Sequence, residues 1–534
     1  MGVNATSPGR LLWLVAGIVL AVNAWSLARF GINFPHADDF SQLLWVPYYW
    51  DVAPTLQKKI AYVFELSVEH RIATLRLAAL LQAKVFGGLN FLVLMYSGAL
   101  LMAATGAIIL TVVARNHRPW IAAIAACVLF LPANHEAQFW ATGALQHFGV
   151  IAYAFGAIFC ACRPKPWWQA GALLLALFAA FTSANGLMAF PVVVVMLCIL
   201  RKPRLAILWG VLAVVLFAVY FTGYVRPERQ PTLLATLSNP LPLLRFYLMA
   251  LGSLATRPVP SLFVGALTAA TCAWLLIARW KSVPPVVAGW MTFIALSYAA
   301  MAVGRVSFGD DGALLSRYRI YSETLTLVTL VALVGVIELP RARGFLWCAV
   351  ALTAGWFLIT WRMYLPLIAH ASIRQELSRD HYAATGHGIY DLYPPQEYGD
   401  FVLGRAGARG YFDGLQIARA PLKLIAEDSA LIESSESALK VERLVVDPEA
   451  ISVMGYVPRA GASALLWLDR DGKKFRASLI TAAAVVPPAG SDWRFAWGTV
   501  GLGGLAPGRY RIGYGLDGAP PYAVHWTSKT VTAN

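Results

Sequence analysis

The sequence predicts a polytopic α-helical membrane bundle of about eleven transmembrane helices, followed by a C-terminal β-sandwich domain on the outer side of the membrane. Three observations carry this expectation. Hydrophobic residues fill 58% of the 534 positions and charged residues only 13%, which excludes a soluble globule of ordinary composition. Apolar runs of about twenty residues, each able to cross a hydrocarbon core of roughly 30 Å, recur from Leu11 to Pro366. Beyond about residue 370 the pattern changes to short stretches of β-formers broken by Gly and Pro.

With the N-terminus inside, the spans fall at about 11–30, 91–114, 119–133, 146–162, 167–182, 186–200, 204–223, 259–279, 285–303, 322–338 and 344–365. The first run follows Arg10 and lacks a convincing small-residue cleavage site, so it reads as a retained helix and not a secretory signal. The inside links are then Arg115–Arg118, Arg163–Lys165, Arg201–Arg204, Arg279–Lys281 and Arg341–Arg343, each short and basic as the positive-inside rule requires. The formal net charge of +15 is explained by these links, and no basic stripe for nucleic acid is visible.

Two apolar stretches stay outside the count. Residues 72–89 carry Arg76 and Lys84 among leucines and alanines, which suits an amphipathic helix at the interface. The stretch 241–255 is excluded because counting it would place Arg279–Lys281 outside. The outer links are 31–90, 133–145, 224–242 and 304–321, and an odd number of spans puts the C-terminal region on the same side. All six cysteines lie in apolar runs and read as small core residues.

The domains expected are a membrane module over 1–369 with its first outer loop at 31–90, a helical and loop linker over 370–395, and a β-rich domain over 396–534. The linker should hold a helix around Ser372–Ala384, and a Tyr/Pro/Gly-rich passage runs from Tyr390 to Gly414. Strands are expected at Lys440–Val446, Ala464–Leu468 and Arg509–Tyr514, with turns at Asp469–Gly472, Pro487–Gly490 and Asp517–Pro521. No phosphate-cradling Gly loop of the P-loop or dinucleotide type occurs, which disfavours an ATP-driven pump.

Chemistry-bearing residues gather in the outer links. Just past the first span comes Phe34-Pro35-His36-Ala37-Asp38-Asp39-Phe40, where adjacent carboxylates repel one another unless a cation, a proton or a substrate hydroxyl shares the site. The plainer reading has solvated aspartates, with Asp39 capping a helix ahead of Gln42. Glu69-His70-Arg71 and Asn134-His135-Glu136 bring further titratable groups to the same face, or simply keep their loops in water. Near the start of a late span stand Arg305, Asp310, Asp311, Arg317, Tyr318 and Arg319. Such arginines either snorkel to lipid phosphates or neutralise one specific phosphate through their planar fork of donors. Thr182–Gly186, with Asn185, is a polar turn able to line the same cavity, whereas Trp140, Trp167 and Trp168 suit the interfacial belt. His36, His70 and His135 with the carboxylates offer donors for a divalent metal. HExxH and paired CxxC spacings are missing, so no metal ligand is assigned.

On these residues the sequence resembles the GT-C superfamily, the polytopic glycosyltransferases that take sugar from a polyprenyl-phosphate donor on the outer side of the membrane. The shared features are an inside N-terminus, an acidic motif in a long first outer loop, roughly eleven to thirteen spans and a C-terminal soluble domain. His36-Ala37-Asp38-Asp39 looks like the Pro-Asp-Glu motif of the mannosyl- and aminoarabinose-transferring branches, with Ala for the Pro and Asp for the Glu. Ser316-Arg317-Tyr318 and Trp140-Ala141-Thr142-Gly143 look like bacterial members of the group.

The resemblance implies inverting transfer of a sugar to a periplasmic glycan, glycolipid or protein. Asp38, and next Asp39, would be the catalytic base, and Arg317, Arg319, Arg71 and Tyr318 would hold the donor phosphate. His36, Glu69, His70, His135, Glu136 and Asn185 would line the substrate. That mechanism needs the early carboxylates and the late guanidiniums around a single cavity. The expected location is a bacterial inner membrane, with donor, acceptor and bilayer as partners and no nucleic acid. Two other functions fit the same letters: a transporter or flippase of lipid-linked saccharide, and a non-catalytic glycan-assembly protein. The first would need ionisable groups within spans, for which Arg245 and Glu338 are the visible candidates.

Overall fold

The computed structural model describes residues 8–226, 232–337, 339–390, 393–435, 439–457, 463–483, 494–517 and 520–533. Glu338, the expected turn Pro487–Gly490, residues 227–231 of one outer link and residues 518–519 of the last turn lie outside the described residues. The chain divides into two compact units. The first comprises the chain up to Gly31, Tyr49–Leu81 and Phe91–Tyr364; the second comprises Ile32–Tyr48, Gln82–Asn90 and the chain from Leu365 onward. The first outer loop is therefore shared out between them.

In the first unit, nine helices among the described residues are long and apolar enough to cross a membrane, the ninth running on beyond Tyr364, so this is a multi-pass membrane protein. The helices used below are α1 (Pro8–Phe30), α2 (Ala73–Phe86), α3 (Phe91–Val112), α4 (Arg118–Leu129), α5 (Gly149–Ala161), α6 (Pro166–Ala180), α7 (Ala189–Ile199), α8 (Pro203–Tyr220), α9 (Pro240–Leu251), α10 (Pro258–Ile277), α11 (Pro285–Arg305) and α12 (Arg319–Val336). Proline stands in the first turn of α4, α6, α8, α9, α10 and α11, where its fixed φ suits a helix start and its missing N–H is not needed.

All eleven expected spans are helical, but α6 and α7 are shorter than the nine. At 1.5 Å per residue the 15 residues of α6 reach only about 22 Å, less than the core a lone helix must cross. The stretch 72–89 forms α2, which is not among the nine, and 241–255 forms the 12-residue α9.

Burial separates central from peripheral helices. In the span Ala141–Ala161, 89% of the apolar window is buried inside the protein, against 17% in Pro258–Ile277. The central helices are rich in Ala and Gly, which lets their neighbours come close. A Cβ on Gly98 of α3 would lie 2.6 Å from that of Ala144, and one on Gly289 of α11 would lie 2.7 Å from Ile158 of α5. The peripheral α8 instead exposes Leu208, Val211, Val214 and Val215, as a lipid-facing helix should.

The tightest approach is the hairpin of α9 and α10, turned by Thr256 in the left-handed region (φ 66°). A Cβ on Gly265 would lie 1.7 Å from the Leu248 carbonyl oxygen, and one on Gly252 would lie 2.0 Å from that of Ser261. The two backbones thus touch without side chains between them. Gly265→Ala should lower the melting temperature of the detergent-solubilised protein by the equivalent of about 1–3 kcal/mol, the usual cost of overpacking. Gly210→Ala in α8, where nothing lies within 4 Å, should not. Equal melting for the two variants would show that the hairpin is not packed in this way.

Helix α13 (Leu339–Thr385) is continuous over 47 residues, with Pro366 inside it. This corrects the expectation of a span ending at 365 and a separate helix around Ser372–Ala384. Proline removes one hydrogen bond and crowds the preceding turn, but the flanking turns retain their own bonds, so the helix passes through.

In the second unit, α13 from Leu365 onward and α14 (Gln396–Gly407) accompany a β-rich region. Its strands are β1 (Ile425–Ala426), β2 (Leu431–Glu433), β3 (Lys440–Val446), β4 (Ala450–Val457), β5 (Ala464–Arg470), β6 (Lys473–Ser478), β7 (Ile480–Ala483), β8 (Arg494–Gly501), β9 (Gly508–Leu516) and β10 (Tyr522–Ala533). They form a four-stranded sheet in the order β3-β4-β8-β7 and a six-stranded sheet in the order β1-β6-β5-β9-β10-β2. One hydrophobic core draws on both, with Ile451, Val453 and Val500 from the first and Leu466, Leu468, Ile512 and Tyr514 from the second.

The expected turn at Asp469–Gly472 is the hairpin between β5 and β6, where Arg470 pairs with Lys473. Asp471 (φ 53°) and Gly472 (φ 81°) both adopt the left-handed conformation that a two-residue hairpin of matching twist requires. Strand β4 reads as an almost unbroken apolar run because it is buried on both faces. Met454, with Phe495 and Trp497 of β8, packs on Leu377 of α13 and on Ile389. Beside them His381, buried in α13, is held by Ser452 Oγ at 2.8 Å and Asp447 Oδ2 at 2.5 Å, and Ser452 meets Thr499 Oγ1 at 2.7 Å.

Candidate functional site

In the first unit, Pro132 cannot continue α4. The chain therefore turns through Pro132–Asn134 and His135–Gln138 before the next helical run begins at Ala141. Across from it Ser316–Tyr318 makes a single tight turn that leads into α12. The two turns are stitched together. Ser316 Oγ donates to the Ala133 carbonyl at 2.8 Å, accepts from the Glu136 N–H at 3.2 Å and lies 3.1 Å from His135 Nδ1.

Arg319, buried, donates to the carbonyls of Leu314 (3.1 Å) and Ala133 (2.9 Å) and to the Tyr364 hydroxyl (2.5 Å). Arg71 behaves likewise. Its three guanidinium nitrogens donate to the carbonyls of Tyr220 (2.7 Å), Phe64 (2.5 Å) and Thr222 (2.5 Å). Both were expected at a donor phosphate. In this structure their donors are directed at main-chain carbonyls, and the forked guanidinium braces the segments that carry them.

Arg317 differs. Its Nη1 lies 3.1 Å from Glu136 Oε2, and its guanidinium stands over the rings of Tyr318 (5.2 Å) and Trp140 (6.0 Å). Arg305, not among the expected site residues, completes the group. It reaches Glu69 Oε2 at 3.4 Å and lies over the same Tyr318 ring at 5.6 Å. Two guanidiniums, each paired with a carboxylate, thus share one aromatic ring.

The remaining expected residues of this unit gather nearby. Asn185 Nδ2 donates to the Tyr321 hydroxyl at 3.2 Å, and His147 Nδ1 lies 3.4 Å from that oxygen. His70 Nδ1 accepts from the Ala184 N–H at 3.2 Å, which ties the Glu69–Arg71 segment to the turn carrying Asn185.

Behind this group a buried relay crosses the bundle. Asn23 Nδ2 of α1 donates to Gln138 Oε1 at 2.6 Å, Gln138 Nε2 donates to Asn134 Oδ1, and Asn134 Nδ2 donates to Glu323 Oε2 at 2.6 Å. Glu323 is fully buried on α12. Sequence reasoning misses Arg305 as a partner of Arg317, and it misses Asn23, Gln138 and Glu323 altogether. The available signal was a polar residue inside or at the edge of each apolar run. What hid it is that Glu323 stands one residue into an expected span, where charge is ordinary. Arg245, the visible intramembrane candidate, pairs with Asp310 at 2.5 Å in an exposed position.

Asp38 and Asp39 belong to the second unit and the four arginines to the first. Asp39 is fully buried, and its Oδ2 accepts from the His36 N–H at 3.1 Å. Asp38 is half-buried, and its carbonyl accepts from the Gln42 N–H at 2.8 Å. The capping of Gln42 by Asp39 is therefore not formed. Asp39 already has helical dihedrals, and its side chain folds back to close the His36–Asp39 turn around Ala37 (φ 47°). Three aromatic residues meet this motif, with Phe34 on Phe412 (6.1 Å), Phe40 on Tyr390 (5.1 Å) and Tyr393 Oη donating to Ser41 Oγ (3.3 Å).

Comparison with protein-family models, with curated proteins and with solved structures finds no match. Among the described residues, no group of three or more His, Cys, Asp or Glu is placed to hold a metal ion.

Burial, and then the Arg305 charge, push the His70 pKa down to about 4. Between that value and the ordinary histidine value of about 6.5, the unfolded chain binds a proton that the folded chain refuses. The stability contributed by neutral His70 is therefore complete above the ordinary value and lost as pH falls towards 4. His70→Asn, which keeps an acceptor for Ala184, should flatten the loss of melting temperature across that window. An unchanged slope would assign the acid sensitivity to other groups.

Proposed function

We propose that this chain is a membrane glycosyltransferase of the GT-C type. It transfers a sugar from a polyprenyl-phosphate donor to a glycan, glycolipid or protein acceptor, with inversion at the anomeric carbon. The observation that carries this reading is the pair Arg305 and Arg317 on the Tyr318 ring, each engaged by a single partly exposed carboxylate. A guanidinium held in this way can exchange its carboxylate for a phosphate of the same planar geometry, and aromatic faces keep it oriented meanwhile. Two such groups match the charge that develops on a departing polyprenyl phosphate. Asn185, His70 and Tyr321 offer polar contacts for the rest of the donor.

In the proposed reaction the acceptor oxygen bonds to the anomeric carbon and the carbon–oxygen bond to phosphate breaks. The phosphate leaves with the bonding electrons. Asp38 takes the hydroxyl proton, an assignment that rests on the acidic motif and on Asp38 being the more exposed of the two aspartates. No cofactor is required. The basic links favour a cytoplasmic N-terminus and a C-terminal β domain on the periplasmic side of a bacterial inner membrane.

A second reading, translocation of lipid-linked saccharide, is favoured by the burial of Glu323 within a span, the kind of ionisable group that coupling to protons would use. Reconstituted vesicles separate the two, since a flippase moves the donor without consuming it.

With purified protein and a panel of synthetic polyprenyl-phosphate sugars, Asp38→Asn should lower turnover at least about a hundredfold while leaving membrane expression intact. Arg317→Ala should weaken polyprenyl-phosphate binding by about tenfold or more, and Arg317→Lys should restore only part of it. Normal transfer by both Asp38→Asn and Asp39→Asn would remove the base assignment, and normal binding by Arg317→Ala would remove the clamp.

A further inference from the structure

Glu323 has an environment that a carboxylate tolerates poorly. The side chain is fully buried; Oε2 accepts one hydrogen bond from Asn134 Nδ2, and Oε1 has no hydrogen-bond partner among the described residues. The charged and titratable groups facing it are few. Arg319 lies one turn earlier on α12, but its nitrogens are directed at Leu314, Ala133 and Tyr364. Tyr298 of α11 is near enough to sense the same group, and it directs its hydroxyl to the Tyr318 carbonyl at 2.8 Å. From the turn after α4 comes Asn134 itself. A buried charge with a bare oxygen is far more costly than a neutral hydroxyl left bare. A proton on Oε1 removes that cost and leaves Oε2 as the acceptor for Asn134.

The location gives the bond its consequence. Asn134 immediately precedes His135 and Glu136, and Glu136 holds Arg317 at 3.1 Å. The relay behind Asn134 runs on through Gln138 to Asn23, so the 134–138 turn is fastened from α1 on one side and α12 on the other. We propose that Glu323 is a neutral carboxylic acid that pins the 134–138 turn through Asn134 and so positions the Glu136–Arg317 pair. Its part in a reaction rests on the glycosyltransferase reading; the pin itself does not.

Three variants of the full chain in lipid nanodiscs test this. Glu323→Gln keeps the shape, the neutrality and the acceptor; Glu323→Ala removes the acceptor; Asn134→Ala breaks the same bond from the other side. The infrared difference between the wild type and Glu323→Gln should contain the carbonyl stretch of a protonated carboxyl group, and carboxylate bands in its place would overturn the neutral assignment. Amide hydrogen exchange over residues 134–138 should quicken about tenfold or more in Glu323→Ala and in Asn134→Ala, and stay within about twofold of wild type in Glu323→Gln. Exchange unchanged in both alanine variants would overturn the pin. In transfer assays Glu323→Ala should raise the donor KM about tenfold and Glu323→Gln should restore it. A wild-type KM in Glu323→Ala would overturn the positioning role. If the wild type transfers no sugar, the functional reading falls, while the infrared and exchange results still decide the pin.

Discussion

The polar end of the first unit depends on Arg319. Inside a membrane bundle no solvent is at hand to satisfy main-chain groups where a helix stops, so the protein must supply donors of its own. Arg319 supplies them to the Ala133 carbonyl, at the break after α4, and to the Leu314 carbonyl, just before α12, and its third contact secures Tyr364 of α13. Three segments far apart in sequence are fastened by one planar side chain. A lysine could not do the same, since an ammonium is a point charge without a fixed fork.

That fastening leaves Arg317, two residues earlier, free of bracing duty. The tight Ser316–Tyr318 turn separates the two side chains, one directed at backbone and the other at Glu136, Tyr318 and Trp140. Arg305 arrives at the same ring from the end of α11, bringing Glu69 with it. Braces to the main chain and ion pairs thus coexist within one short stretch.

The second unit applies the same economy to its acidic motif. Asp39 is spent on closing a turn, and Tyr390, Tyr393 and Phe412 meet the residues that flank it. Gly414 is one of the positions where this matters, because a Cβ there would meet the Asn33 carbonyl oxygen at 2.4 Å. Asp38 is left half-buried beside it. Two neighbouring aspartates therefore have different environments, which is how a pair of like groups comes to serve different purposes.

The membrane class, the positions of the helices and their basic links were legible in the sequence. So were individual strands such as Lys440–Val446 and the Asp-Gly hairpin after β5. These are local properties: a helix in lipid satisfies its own backbone and must be apolar over its length, and a two-residue hairpin needs residues that accept positive φ. Of the polar residues singled out in the outer links, Glu136 and Arg317 pair with each other, Glu69 pairs with Arg305, His135 meets Ser316, and His70 and Asn185 meet at the 184–185 turn.

What each of those residues does was not legible. Arg71, Arg317 and Arg319 are the same letter in similar settings, and only the carbonyls and carboxylates brought beside them by distant segments decide that two are braces and one an ion pair. Glu323, Gln138 and Asn23 each appear as a stray polar residue until the packing of α1, α4 and α12 aligns them. Hydrophobicity and turn chemistry act between neighbours in the chain. A hydrogen bond between positions 134 and 323 exists only once the helices have packed.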